Sequence, residues 1–93
     1  MTDFDFQAAD HLSRQLTQLI EKLDWLLWLR STQRKSLLGG EGSDNWQGAK
    51  RRHFETDFAR GQSSLTRLKD QARSLQTEVA TATRTARAKS DGD

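Results

Sequence analysis

Two histidines, one glycine cluster and one run of basic side chains are the parts of this chain that could do chemistry. His11 and His53 lie 42 residues apart in the sequence, without ligand spacing to any carboxylate pair. With no cysteine in the chain, zinc would have to be held by histidine and carboxylate alone. The reading is two solvated histidines, with no metal and no cofactor. Gly39-Gly40-Glu41-Gly42 is not a phosphate-binding loop, because no Lys-Ser/Thr follows it and no strand pattern precedes it. Lys50-Arg51-Arg52-His53 could meet nucleic acid or anionic lipid. Its neighbours Phe54 and Phe58 fall on an apolar helical row and are not free for base stacking, so the reading is a solvated basic face with Arg51 pairing Glu55. No nucleophile, acid–base pair or small-molecule site emerges, and the expectation is a protein that is not an enzyme.

What must position these residues is a pair of helices. The chain has 93 residues, 30% of them charged, and no proline, which favours one domain built of long helices. Only 33% of residues are hydrophobic, thin for a self-sufficient core of this size. The glycine-rich stretch at the midpoint, Gly39 to Gly48, separates two segments with helical periodicity and reads as the bend of a hairpin.

In the first segment Asp3 or Asp5 caps the helix start. Ala9, Leu12, Leu16, Leu19, Leu23 and Leu26 then recur in alternating steps of three and four, widened by Ile20 and Leu27. In the second, Phe54, Phe58, Gly61, Leu65, Leu68, Ala72, Leu75, Val79, Ala82 and Ala86 keep a strict 3.5-residue period, that of a coiled-coil seam. Leu12, Leu16, Leu19, Leu23, Phe54, Phe58, Gly61, Leu65, Leu68, Leu75 and Val79 are accordingly the expected hairpin core. Gly61 is expected to lie opposite Trp25 and Leu26 and to make room for one of them. The expected architecture is all-α: a helix over about 4–37, a bend over about 38–48, a helix over about 45–87 opened by an Asp44–Gln47 capping box, and a disordered tail at 88–93.

Trp25, Leu26, Leu27, Trp28 and Leu29 interrupt the stripe, since five consecutive apolar residues cover the whole circumference of a helix. A helix apolar all round is buried all round, and a lone hairpin cannot do that. These five are therefore the expected partner surface. Two hairpins packed together give a four-helix bundle with one continuous core.

Charge is unevenly divided. Residues 1–48 carry five Lys/Arg against seven Asp/Glu, and residues 49–93 carry ten against six. Opposite signs suit arms that lie antiparallel or subunits that meet crosswise. The start, Met1-Thr2-Asp3-Phe4-Asp5-Phe6, lacks the basic and apolar regions of a signal peptide. The run from Trp25 to Leu29 is too short to span a bilayer. Synthesis in the cytoplasm, without a cleaved leader, is expected.

Trp46-Gln47-Gly48 sits at the bend. A tryptophan there can lie over the open end of the hairpin, and glycine two residues later allows close approach of the bend to the first arm. A Trp-x-Gly turn at the centre of about a hundred residues, between two long amphipathic helices, resembles the WXG family of type VII secretion proteins, the early secretory antigenic target-like proteins. The resemblance covers the whole chain, with Trp46 and Gly48 as its sequence-specific part. It implies a helical hairpin that pairs with itself or with another WXG-type hairpin into a four-helix bundle. It further implies export in the folded state by a membrane ATPase-driven machine, and hence a secreted or envelope-associated location. Many such pairs carry a Tyr-x-x-x-Asp/Glu signal after the second helix of one partner. This chain contains no tyrosine. Within the resemblance it is most simply the partner without that signal, reaching the ATPase through a second protein. Two readings of another class stand beside this one: a basic coiled-coil nucleic-acid-binding protein working through Lys50, Arg51, Arg52 and the arginines of the second arm, and a cytoplasmic helical-hairpin adaptor or chaperone.

Overall fold

Two helices account for the structure, a computed structural model that describes residues 4–39 and 48–91. Helix α1 spans Phe6–Gly39 and α2 spans Ala49–Asp91, and they pack against each other as an all-helical hairpin. Asp5 caps α1: its Oδ1 accepts from the Ala8 N–H at 2.9 Å and its carbonyl from the Ala9 N–H at 3.0 Å. Asp10 and Arg14 pair one turn later. Asp3, Gly40, Asp44, Trp46 and Gln47, which the sequence reading assigned to capping and the bend, lie outside the described residues. Helix α2 begins at Ala49 rather than near 45, and it continues through Arg87, Ala88, Lys89 and Ser90 to Asp91 where a disordered tail was expected. Alanine, arginine and lysine are strong helix formers, and Lys89 complements the negative end of the helix dipole.

The rod measures 70 × 18 × 14 Å, with a radius of gyration of 20.7 Å. A compact domain of this length would have a radius of gyration of about 12 Å. The accessible surface is 7482 Å², against roughly 5,500 Å² for a folded monomer of this mass. The excess of about 2,000 Å² follows from the shape, because two helices side by side bury one stripe each. Only Leu16, Leu23 and Ala72, at 7, 6 and 5% exposure, are buried among the described residues.

Which stripe is buried corrects the expected core. The less exposed residues of α1 include Ala9, Ser13, Leu16, Ile20, Leu23, Leu27, Arg30 and Arg34; those of α2 include Phe58, Gln62, Leu65, Lys69, Ala72, Gln76, Val79, Thr83 and Ala86. Both rows step by four and three. They share Ala9, Leu16 and Leu23, and Phe58, Leu65, Ala72, Val79 and Ala86, with the predicted stripes. At every alternate step, however, they take the next residue along. Leu12 and Leu19 are 38% exposed, and Leu68 and Leu75 are 44 and 41% exposed; none of the four belongs to the hairpin core.

Hydrogen bonding explains the choice of flank. Gln76 Nε2 donates to Thr17 Oγ1 at 2.6 Å and to the Ser13 carbonyl at 3.4 Å. Arg30 Nε donates to Gln62 Oε1 at 2.8 Å, and Gln62 Nε2 to Ser31 Oγ and the Leu27 carbonyl. Lys69 Nζ reaches Asp24 Oδ1 at 2.7 Å. Near the bend Arg34 donates twice to Glu55, at 3.1 and 2.6 Å, so Glu55 is held by Arg34 across the hairpin as well as lying near Arg51. The Arg30 and Arg34 guanidiniums lie over the Phe58 ring, 5.3 and 5.6 Å from its centroid, and Phe54 stacks on Phe58. The two helices thus meet along the flank that satisfies their polar groups, which leaves the leucine flank outside. In this register Gly61 lies beside Arg30, not beside Trp25 or Leu26, and a Cβ there would overlap the Arg30 guanidinium.

The cross-helix ion pairs make the hairpin acid-sensitive. The hydrogen bond from Lys69 holds the Asp24 carboxyl below its usual range, aided by the charges of Lys69 and Arg73 and opposed by desolvation. The hydrogen bond from Arg34 does the same for Glu55. A carboxyl with a lowered folded-state pKa stabilises the fold above its unfolded pKa, and that contribution is lost as pH falls through the folded value. The melting temperature should therefore fall as pH drops below about 4. Asp24→Asn with Glu55→Gln should flatten that dependence in thermal circular dichroism; an unchanged acid slope in the double variant would contradict it.

Candidate association surface

The exposed leucines of the two helices share one side of the hairpin. At 100° per residue, Leu12, Leu19 and Leu26 are turned about 60° from the shared row of Ala9, Leu16 and Leu23, away from the flank of Ser13, Ile20 and Leu27. On α2, Gly61, Leu68, Leu75 and Ala82 are turned in the same sense from Leu65, Ala72 and Val79. Two antiparallel helices are related by a two-fold axis perpendicular to the plane that contains them. Rows turned in the same sense therefore emerge on the same side. The opposite side supplies the check: Phe6, Asp10 and Ser13 of α1 line one recess with Ala80, Thr83 and Arg87 of α2, and the Arg87 guanidinium lies over the Phe6 ring.

Cross-helix bonds fix the levels on the leucine side. Leu75 adjoins Gln76, which bonds Thr17, and Leu68 adjoins Lys69, which pairs with Asp24. Leu12, Leu75, Leu19, Leu68 and Leu26 therefore alternate between helices along the rod. This is the spacing of knobs that enter the grooves of a second helix pair. The sequence supplied all five leucines but placed Leu12, Leu19, Leu68 and Leu75 in the hairpin's own core and only Leu26 on the partner surface. Their periodicity is the same whether the partner helix lies in the same chain or in another.

The five residues from Trp25 to Leu29 do not form a single surface. Leu27 sits on the α1–α2 seam with Gln62 at its carbonyl, and Leu26 belongs to the leucine side. Leu29 is half-buried, while Trp25 and Trp28 are 59 and 61% exposed. Trp25 lies about 180° from the direction of α2 at helical geometry, on the back of α1. Packing another hairpin onto the leucine side would cover Leu26 and reach Leu29, leaving the tryptophans at the periphery.

Gly48 has φ 69° and its carbonyl accepts from the Arg52 N–H at 3.2 Å, which opens α2. Among the described residues nothing lies within 4 Å of where its Cβ would be. Its role is thus the left-handed backbone conformation, not the close approach to the first arm that the sequence suggested. Gly48→Ala should cost roughly 1–2 kcal/mol for that conformation, read as a melting temperature lower by several degrees. An unchanged melting temperature would show that α2 can start without it.

His11 and His53 are both exposed, near the N-termini of two antiparallel helices and so at opposite ends of the rod. Among the described residues no group of three or more His, Cys, Asp or Glu side chains could hold a metal ion, and no helix is long and apolar enough to cross a membrane. Searches against protein-family models, curated proteins and solved structures returned no match for this chain.

Proposed function

We propose that this chain is a WXG-type hairpin protein that works by association rather than catalysis. It pairs through its leucine side with another hairpin, a second copy or a different WXG-type chain, to complete a four-helix bundle. The observation that carries the reading is the mismatch between the helices and their own core. Among the described residues three buried apolar side chains serve a rod with about 2,000 Å² of excess surface, while leucines from both helices line one open side. A stable protein–protein interface removes about 800 Å² per partner, and obligate ones remove more, so one such contact accounts for a large part of that excess. Export as a type VII secretion substrate or co-secreted partner, with the secretion ATPase reached through the partner, rests on the Trp46-x-Gly48 motif at the centre of the sequence and on the hairpin architecture.

The export reading is tested in the organism that makes the protein. The expected result is accumulation in culture filtrate only when the secretion ATPase is intact, together with a neighbouring gene for a hairpin ending in Tyr-x-x-x-Asp/Glu. Retention in the cell pellet whether or not the ATPase is intact would reject export and leave an intracellular adaptor.

A further inference from the structure

The outer face of α2 carries a feature that neither the leucine side nor the bend uses. Arg52, Arg60, Arg67, Arg73, Arg84 and Arg87 are all exposed and, at the 3.5-residue repeat of packed helices, fall within a sector of about 100°; it runs from the back of α2, at Arg60 and Arg67, round to the rim of the recess shared with α1, at Arg84 and Arg87. Between residues 49 and 88 that sector contains a single acid, Asp70. The other acids between residues 49 and 88 lie elsewhere: Glu55 faces Arg34, and Asp57 and Glu78 fall on the flank next to the leucine row. Among the described residues the side chains of Arg52, Arg60, Arg67 and Arg84 make no hydrogen bond or ion pair, while Arg73 acts on Asp24 through its charge and Arg87 lies over Phe6. A helix stabilised by its own charges would interleave acids with these arginines at i, i+4. This one interleaves Thr56, Ser63, Thr66, Ser74 and Thr77.

We propose that this face binds the phosphodiester backbone of duplex nucleic acid. Guanidinium is the side chain best matched to phosphate oxygens, and hydroxyls supply the additional donors that backbone contacts use. The first four arginines recur along one straight helix at steps of roughly 9–12 Å, so several of them can engage one polyanion together. The chemistry of the stripe selects among polyanions. Its one ring is the imidazole of His53, so the Trp, Tyr and Phe platforms on which single strands stack are absent. No large apolar residue lies in it either, so the face has nothing to insert below lipid headgroups, as helices lying on membranes do. What remains is electrostatic, sequence-independent contact with a backbone.

The test is fluorescence anisotropy of a labelled 30-base-pair duplex titrated with the full chain across a salt series. Arg60→Ala/Arg67→Ala/Arg73→Ala is compared with wild type and with Lys22→Ala/Lys35→Ala on α1. Alanine is the best helix former, so the triple variant keeps its helicity, checked by circular dichroism. Wild type should bind at low salt with affinity that falls steeply as salt rises. The triple variant should bind at least about tenfold more weakly at 50 mM salt and lose roughly three from the log–log salt slope. The lysine variant should bind like wild type. No binding to the duplex at low salt overturns the proposal, as does equal binding by the triple variant. Binding to phosphatidylglycerol vesicles without binding to the duplex overturns it in favour of a membrane. Because the stripe lies away from the leucine side, the triple variant should also keep the wild-type solution mass, which separates this proposal from the association reading.

Discussion

Leu19→Glu together with Leu68→Glu should reduce the purified protein from an assembly of hairpins to the single-chain mass of 10.6 kDa. Both leucines are exposed in the hairpin, so the charges enter no intramolecular core and the helices keep their hydrogen bonds. In the proposed bundle both are buried at the centre of the contact. Each leucine removed from an apolar contact costs about 1.5–3 kcal/mol, and the burial of an unpaired carboxylate adds to that. Together the pair should weaken association by at least about two orders of magnitude. Light scattering gives the mass and circular dichroism the helicity. A double variant with wild-type mass would show that the contact lies elsewhere, and the tryptophans on the back of α1 would be the next surface to test. For a heteromeric pair, the same loss should appear in the mixture with the partner hairpin.

Leu16→Ala and Leu23→Ala should have the opposite signature, damaging the hairpin itself. These are the two large apolar side chains buried between α1 and α2. Truncation of a buried leucine costs about 2–5 kcal/mol, and whole domains are stable by only about 5–15 kcal/mol. With so few buried residues to share the loss, either substitution should lower the melting temperature by ten degrees or more, or abolish the cooperative transition. Leu12→Ala, on the open side, should change the monomer little. A Leu23→Ala variant that melts within two or three degrees of wild type would mean that the polar flank holds the hairpin without the leucines.

These two substitutions separate what the sequence made legible from what it did not. The helices were legible because 3.5-residue periodicity needs only one chain to be seen, and Asp5 was legible as a cap because a short acid beside the first free N–H groups has few other roles. The flank was not legible. Leu12, Leu16, Leu19 and Leu23 form a valid stripe on their own, and so do Ser13, Leu16, Ile20 and Leu23. The choice depends on Gln62, Lys69 and Gln76 finding partners across the hairpin at Arg30, Asp24 and Thr17, pairings that exist only once the register is set. The same register moved Gly61 from beside Trp25 to beside Arg30. Gly48 was legible as a bend residue, but its positive φ is a property of three-dimensional chain direction that a triplet does not encode. The arginines of the second arm were legible as basic charge but not as one face, because Lys50-Arg51-Arg52-His53 stood out as a contiguous run. The residues that share a face are dispersed at helical spacing from Arg52 to Arg87.

The central claim is that the leucine side of this hairpin is made to be covered. Sedimentation of the purified chain over a concentration series, alone and mixed with any hairpin protein found encoded beside it, tests this most directly. The account predicts a species of at least twice 10.6 kDa in one of those two samples, and a single-chain species that is only marginally stable. A well-folded species of 10.6 kDa at every concentration, unchanged by the neighbour, would contradict it.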